Sequence, residues 1–448
     1  MNRTKFELDH TEKPLEGIVH RLIYLYILTI PFQALELTFR ELTIGLPEIV
    51  FFILAPLATI QIIRSKQKLY IDRLDLFVFG WLIAIIVSGW HAGFDSIVVT
   101  EIIETSYLVL LYIMIKWTIK PGMIERIVEV IILASLIASL TGVIGFGLGC
   151  LGIDTFLAIK RPFPYGIKIV MQAKGFTPTP NMLASIIMIG ILFQIQKLSI
   201  NQINSKGKDI FILLILLLGF SLTFSKTVGC LLIGIILILY LHFQKKLTFF
   251  YTWKLTIKIA IPSLFIAYIF GTHFIIVEKD QNFELLKGDY IAGHALTETA
   301  NYSIYPSQYW SLKEISFDAI SQSFPWGLGP GKFNDYAYEL KKNDEYPTHL
   351  PYPDPHFTYL GTLAENGLLG LIALVGIILF VIKCSTKILN DNLSDENILA
   401  CLPIIFIAIG IEAVSTDVMN FRHYWILLIL VVSTFQDLKS TSSKSLNL

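Results

Sequence analysis

Apolar runs of roughly 17 to 25 residues, long enough to cross a bilayer as helices, recur along the whole chain between short polar stretches. They lie near residues 17–37, 44–63, 74–92, 96–115, 124–149, 181–196, 209–225, 227–243, 256–277, 357–382, 398–416 and 420–436. The pattern predicts an all-α polytopic membrane protein with about twelve transmembrane helices. Only FSKTVG separates the seventh run from the eighth, so the two form either a hairpin or one broken unit. Two segments break the short-loop rule. One, near 150–180, carries AIKRPFPYGIK and AKGFTPTPN; the other, 278–355, is the only large hydrophilic stretch. The chain thus divides into helices one to nine over 1–277, a large extracytoplasmic loop over 278–355, and helices ten to twelve with a cytoplasmic tail over 356–448. Inside the loop, YWSLKEISFDAISQ places apolar residues at helical spacing and predicts an amphipathic helix.

Charge gives the direction of the spans. With the N-terminus inside, alternate loops hold Arg64, Lys66, Lys68 and Arg73, then Lys116, Lys120 and Arg126, then Lys197, Lys206 and Lys208, then Lys245, Lys246, Lys254 and Lys258, then Lys383 and Lys387. The short loops on the other side, near 38–43, 93–95 and 417–419, hold only Arg40. This is the positive-inside asymmetry, and it places both termini in the cytoplasm and the long loop outside. Composition agrees with a membrane protein: 54% of the 448 residues are hydrophobic and 16% charged, against about a quarter charged in soluble domains. Positive and negative residues balance at 35 each, which suggests no nucleic-acid partner. The four cysteines are far apart without CxxC spacing and read as small hydrophobes, so no metal or cofactor is indicated. The first sixteen residues are mixed in charge and show no cleavable signal peptide.

Candidate chemistry concentrates in DPHFTYLGTLAENGLLGLI, residues 354–372, with His356 at the mouth of an apolar stretch and Glu365 inside it. On a regular helix the two lie about 180° and roughly 13 Å apart, too far to serve one small site. His356 then faces the outer boundary, as a reactive group or as an interfacial residue satisfied by water. Glu365 reads as a structural tie to a cation or donor on another span. Glu101 and Glu104 share a helix face near the outer end of the fourth span, to orient a catalytic cation or to pair with Arg40 or Arg422. The loop is net acidic, with Glu278, Asp280, Glu284, Asp289, Glu298 and others outnumbering its lysines. That balance suits hydrogen bonding to sugars and stacking on aromatic rings such as Trp310. The turn GLGPGKF, 327–333, can aim amides around Gly329 and Gly331 at a phosphate, or can be merely a turn.

FPWGLGPGKF (324–333) precedes His356, and KGFTPTPNMLAS (174–185), TFSKTVGCLL (223–232) and NFRHYWILL (420–428) lie around it in the chain. Together, in this order, they resemble the O-antigen ligase and O-antigen polymerase superfamily of bacterial envelope glycosyltransferases, over about residues 170–430. The resemblance implies a multi-pass enzyme of the bacterial inner membrane. It would move a glycan from an undecaprenyl-diphosphate donor in the bilayer to lipid A–core or to a growing glycan acceptor. Transfer would be at the periplasmic face, without metal and with inversion. His356 would be the general base, a role suited to imidazole, and cationic side chains would hold the diphosphate.

The sequence departs from that family where charge matters most. Ser225-Lys226-Thr227 stands where the family has SRG, IYPSQYW carries no arginine ahead of the loop tryptophan, Phe357 follows His356, and no arginine occurs between Arg161 and Arg422. Lysine offers a point charge where arginine offers a planar fork. Lys226 is therefore the first diphosphate candidate, with a snorkelling lysine as its bland alternative. Lys174 follows, with Lys313 and Lys332 as loop contributors. Arg422 would bind diphosphate or close a salt bridge with Glu365 or Glu412. Two other readings stay open: a transporter or flippase of lipid-linked sugars, and a relative that kept the fold but lost activity.

Overall fold

Within a bilayer a backbone amide finds no water, so each apolar run closes its hydrogen bonds internally as a helix. The computed structural model describes residues 14–39, 42–65, 71–163, 166–200, 206–243, 250–278, 295–343, 355–390 and 397–445. The first half contains α1 (Pro14–Thr29), the hairpin of β1 (Glu36–Phe39) and β2 (Leu42–Gly45), α2 (Leu46–Ser65), α3 (Arg73–Ala92), α4 (Ser96–Thr118) and α5 (Ile124–Cys150). A second hairpin, β3 (Ala158–Phe163) and β4 (Gly166–Ala173), leads to α6 (Pro180–Ile200), α7 (Lys206–Ser221), α8 (Val228–Phe243) and α9 (Phe250–His273). The long loop contributes β5 (Phe274–Glu278), β6 (Thr297–Glu298), β7 (Tyr302–Pro306), α10 (Gln308–Ser323) and α11 (Phe333–Lys342). Then come α12 (Thr358–Asn390), α13 (Leu402–Glu412) and α14 (Arg422–Ser445).

Seven of these helices, α1 to α6 and α12, are long and apolar enough to cross a membrane. The other predicted positions hold helices of shorter or less apolar reach: α7 and α8 have 16 residues and α13 has 11. At 1.5 Å per residue, α13 extends about 16 Å, roughly half of the hydrocarbon core. The all-α expectation also needs correcting, because three small antiparallel sheets are present, β1–β2, β3–β4 and β5–β7–β6. All three fall in connections that the lysine asymmetry assigns to the outside, a face called outer below. Their strands are too short to show alternation against apolar flanks. Arg40, Asp280, Glu284, Asp289 and the first thirteen residues lie outside the described residues.

Small and hydroxyl side chains draw the central helices together, as they do where lipid removes the usual hydrophobic drive between helices. On α5, Ser135 donates to the Ile186 carbonyl of α6 at 2.8 Å and Ser139 to the Ile215 carbonyl of α7 at 2.6 Å. Gly190 and Gly219 face those serines, where a Cβ would collide. At the opposite, inner face Lys116 is buried between Asp72 (2.8 Å) and Asp75 (2.6 Å).

The loop helices cap the outer ends. α10 covers the predicted amphipathic stretch and packs Leu312, Ile315 and Ala319 against Phe333 and Ala337 of α11 and against Phe357 and Ala364. A break in α12 receives the glycine-rich turn. At Gly367 the backbone takes φ 64° and ψ −163°, so the helical ladder is interrupted. The carbonyls this frees are bonded by the turn: Leu328 N donates to Ala364 O at 2.8 Å and Gly329 N to Glu365 O at 3.0 Å. In return Leu368 N donates to Pro325 O at 2.8 Å. Every group opened by the kink named here has a partner in the turn, as buried backbone requires.

Candidate functional site

The link between α7 and α8, residues 222–227, is held from below by a buried polar network. Ser225 Oγ donates to Asn181 Oδ1 at 2.9 Å, and Thr227 Oγ1 donates to Glu412 Oε1 at 3.2 Å. Glu412 is fully buried, accepts from Ser185 Oγ at 2.9 Å, and shares that hydroxyl with His423 Nε2 at 3.1 Å. Three of the quoted motifs, 174–185, 223–232 and 420–428, therefore meet in one network joining α6, α13 and α14 to the link. Phe224, two residues before Lys226, has φ +48°, a left-handed conformation rare for a bulky side chain.

Fixed in this way, Lys226 reaches over the outer end of α9. Its Nζ donates to Thr272 O at 3.3 Å and lies 4.0 Å from the centre of the Tyr309 ring. The same region locks α9 to the loop: Ser307 Oγ donates to Thr272 O at 2.7 Å and Ser307 N to His273 O at 2.8 Å. The Tyr309 ring is the hub. His356 lies 5.9 Å from its centre and His273 lies 6.4 Å away. One turn further along α10, Lys313 stands over the Phe357 ring at 5.7 Å. His273 is buried, with Nδ1 at 2.8 Å from Ile269 O and Nε2 without a hydrogen-bond partner among the described residues. With Nδ1–H as donor, Nε2 of the neutral ring is an acceptor.

Among the described residues neither Lys226 nor Lys313 makes an ion pair, whereas Lys332 pairs with both Asp95 and Asp335. Burial pulls the Lys226 ammonium down to about 7 and lowers Lys313 as well. A charge in such a place attracts an anion strongly, because little water screens it.

The structure separates the sequence candidates. Lys226 and His356 converge on Tyr309, and Lys313 lies one turn along α10 over Phe357. Lys174 follows β4, and its backbone N donates to Leu157 O at 2.9 Å; its neighbour Ala173 bonds the Leu222 carbonyl, which places it on the same face as the link. Trp310 turns away: its indole donates to Glu314 at 2.8 Å and stacks on Phe274 at 5.5 Å, half exposed. Arg422 bonds Glu48 (2.5 Å) and Gln33, neither of which the sequence singled out, in place of Glu365 or Glu412. Glu48 and Arg422 are nearly the whole chain apart, so no spacing reveals the pair.

Gly329 sits against Ala92 and Gly331 against Ile97 and Glu101, with φ of +106° and +73°, so the turn is pressed onto α3 and α4. The Leu328 and Gly329 amides already bond α12 carbonyls. Glu365 Oε1 accepts from Phe333 N at 3.2 Å, at the first turn of α11, and its carbonyl also accepts from Ser88 Oγ at 2.5 Å. Glu104 is exposed, within range of the charges on Arg422 and Glu48. His356 precedes α12, with φ +42°, so it does not belong to a helical face as a regular helix would require. Tyr309 and His273 were not legible as site residues. The one sequence signal for His273 is a histidine at the outer end of the ninth apolar run.

Residues 210–375 match the sequence model of a family described as O-antigen ligase, which supports the O-antigen ligase and polymerase superfamily. The matched segment contains Lys226, His273, Tyr309, Lys313 and His356, all the residues of the pocket. No curated protein matches the chain.

Proposed function

We propose, with the O-antigen ligase match as premise, that this protein transfers a glycan from an undecaprenyl-diphosphate carrier to an acceptor hydroxyl at the outer face. The observation that carries the reading is Lys226 over the Tyr309 ring with His356 beside it, and Lys313 one turn along α10 over Phe357, neither lysine ion-paired among the described residues. A diphosphate supplies the negative charge that the described residues leave out. As the bond between the anomeric carbon and the diphosphate breaks, its electron pair moves onto the leaving group, and Lys226 and Lys313 stabilise that charge. The acceptor oxygen attacks from the opposite side and its proton passes to His356, giving inversion. Two point charges do here what a guanidinium fork does elsewhere.

The test uses purified protein in detergent with a lipid-diphosphate-linked glycan, with and without lipid A–core. Longer chains on the carrier mean a polymerase; glycan on lipid A–core means a ligase. A folded protein that turns over neither substrate removes the reading in favour of a transporter or an inactive relative. In the active case His356→Ala is expected to lower the rate by about a hundredfold or more, the usual contribution of a positioned base. Its elution profile and thermal midpoint should match the parent. Full activity in that variant would end the base assignment.

A further inference from the structure

His356 stands between two environments of opposite character. On one side is the lysine pocket. On the other, its chain neighbours Pro355 and Phe357 line a polar cleft with Glu101 of α4, Thr362 and Asn366 of α12, and Asp417 of the α13–α14 connection. Glu365 also borders this cleft. Among the described residues no lysine or arginine lines it. Asn366 is 8% exposed, and among the described residues its Oδ1 has no hydrogen-bond donor. A buried acceptor left without a donor is costly, and native structures keep few of them unless something else supplies the donor.

A ligand for this cleft must bring several donors and no negative charge. Phosphate is repelled by the carboxylates. A bound cation is not favoured, since among the described residues no three His, Cys, Asp or Glu side chains converge as metal ligands do. A sugar fits: its hydroxyls donate to amide and carboxylate oxygens. We infer that the cleft between α4, the Asn366 turn of α12 and the 417 connection binds the acceptor glycan by its hydroxyls, next to His356. Asn366 Oδ1 and the Glu101 carboxylate are the positioning acceptors. Diphosphate and acceptor sugar are then sorted by charge onto the two sides of one histidine. That the bound sugar is the acceptor rests on the transfer reading above; that a sugar binds there is measured separately.

The probe is a repeat-unit oligosaccharide released from its carrier by mild acid and free of phosphate, titrated calorimetrically into the full chain in detergent. Wild type is expected to bind it, and saturating inorganic pyrophosphate should leave it in place. Asn366→Ala and Glu101→Gln should each weaken binding about tenfold, with thermal midpoints confirming folded protein. In transfer assays both variants should raise the acceptor KM while the donor KM stays put. Unchanged binding in both variants, displacement by pyrophosphate, or Mg²⁺ binding lost on Asn366→Ala would each overturn the assignment. Sugar binding without transfer by wild type would keep the cleft as a sugar site and remove its acceptor role.

Discussion

Lys116 and Lys226 are both lysines withdrawn from water at the ends of apolar helices, on opposite faces of the protein. Lys116 has two aspartates, at 2.8 Å and 2.6 Å, and Tyr112 donates to the second of them. Lys226 has a carbonyl at 3.3 Å and the face of a tyrosine at 4.0 Å. Taking a cation from water is expensive, and only an opposing charge in good geometry offsets it. Where the chain supplies that charge, the lysine fastens helices. Where it does not, the surrounding network holds a cation ready for an anion from outside. The contrast extends to Arg422 and Lys332, both matched with carboxylates.

The largest expected effect separates the two lysines. Lys226→Ala should fold normally and lose about a hundredfold in kcat/KM for the donor, the scale of a charge-assisted bond or two. Lys116→Ala should do the reverse. It strands two buried carboxylates, at about 3–5 kcal/mol for a broken buried pair, so folded yield drops while the activity per folded molecule holds. If Lys226→Ala instead failed to fold, the contrast drawn here would collapse.

Much of the fold was readable because apolar length is read directly from the chain. The outer face was not, and the reasons are physical. Tyr309 enters the pocket only because Ser307 is bonded to the end of α9, a contact between segments that no local pattern records. The glycine-rich turn looked like a phosphate cradle because its amides are free in isolation. They are taken once α12 breaks at Gly367 and opens the carbonyls of Ala364 and Glu365. Lys226 and His356 could be named from sequence because their motifs surround them, and because a lysine on the lysine-poor side stands out.

A smaller effect follows from pH. Burial pulls Lys226 down to about 7, so its charge is lost as pH rises through that value. Donor kcat/KM should then fall about fivefold between pH 7 and pH 8, the change in protonated fraction for such a group. Lys226→Arg stays charged across this range and should lose that descending limb. A descending limb unchanged in the arginine variant would assign it to another group.

Glu365 sharpens the comparison from the acidic side, as a carboxylate matched to a backbone amide. Its oxygen accepts from Phe333 at the start of α11, where helix amides carry partial positive charge. Glu365→Gln keeps an acceptor but gives up the charge, so stability should drop by about 1 kcal/mol. Thermal midpoint measures this. A large loss of donor affinity without that drop would move Glu365 from the scaffold to the site.

A last contrast tests adjacent aromatic residues. Trp310 attracts notice in the sequence because tryptophan stacks well on sugars, yet its indole bonds Glu314 and its ring rests on Phe274. Tyr309, one residue earlier and about 100° round the helix, carries the Lys226 ammonium and faces His356. Losing a cation–π contact in a desolvated setting costs about 2 kcal/mol, so Tyr309→Ala should reduce donor kcat/KM by roughly thirtyfold. Trp310→Ala should change it less than about twofold, in line with a surface substitution away from the pocket. Equal losses from both would mean that the glycan leaves the pocket across Trp310, and that the site extends along the outer surface of α10.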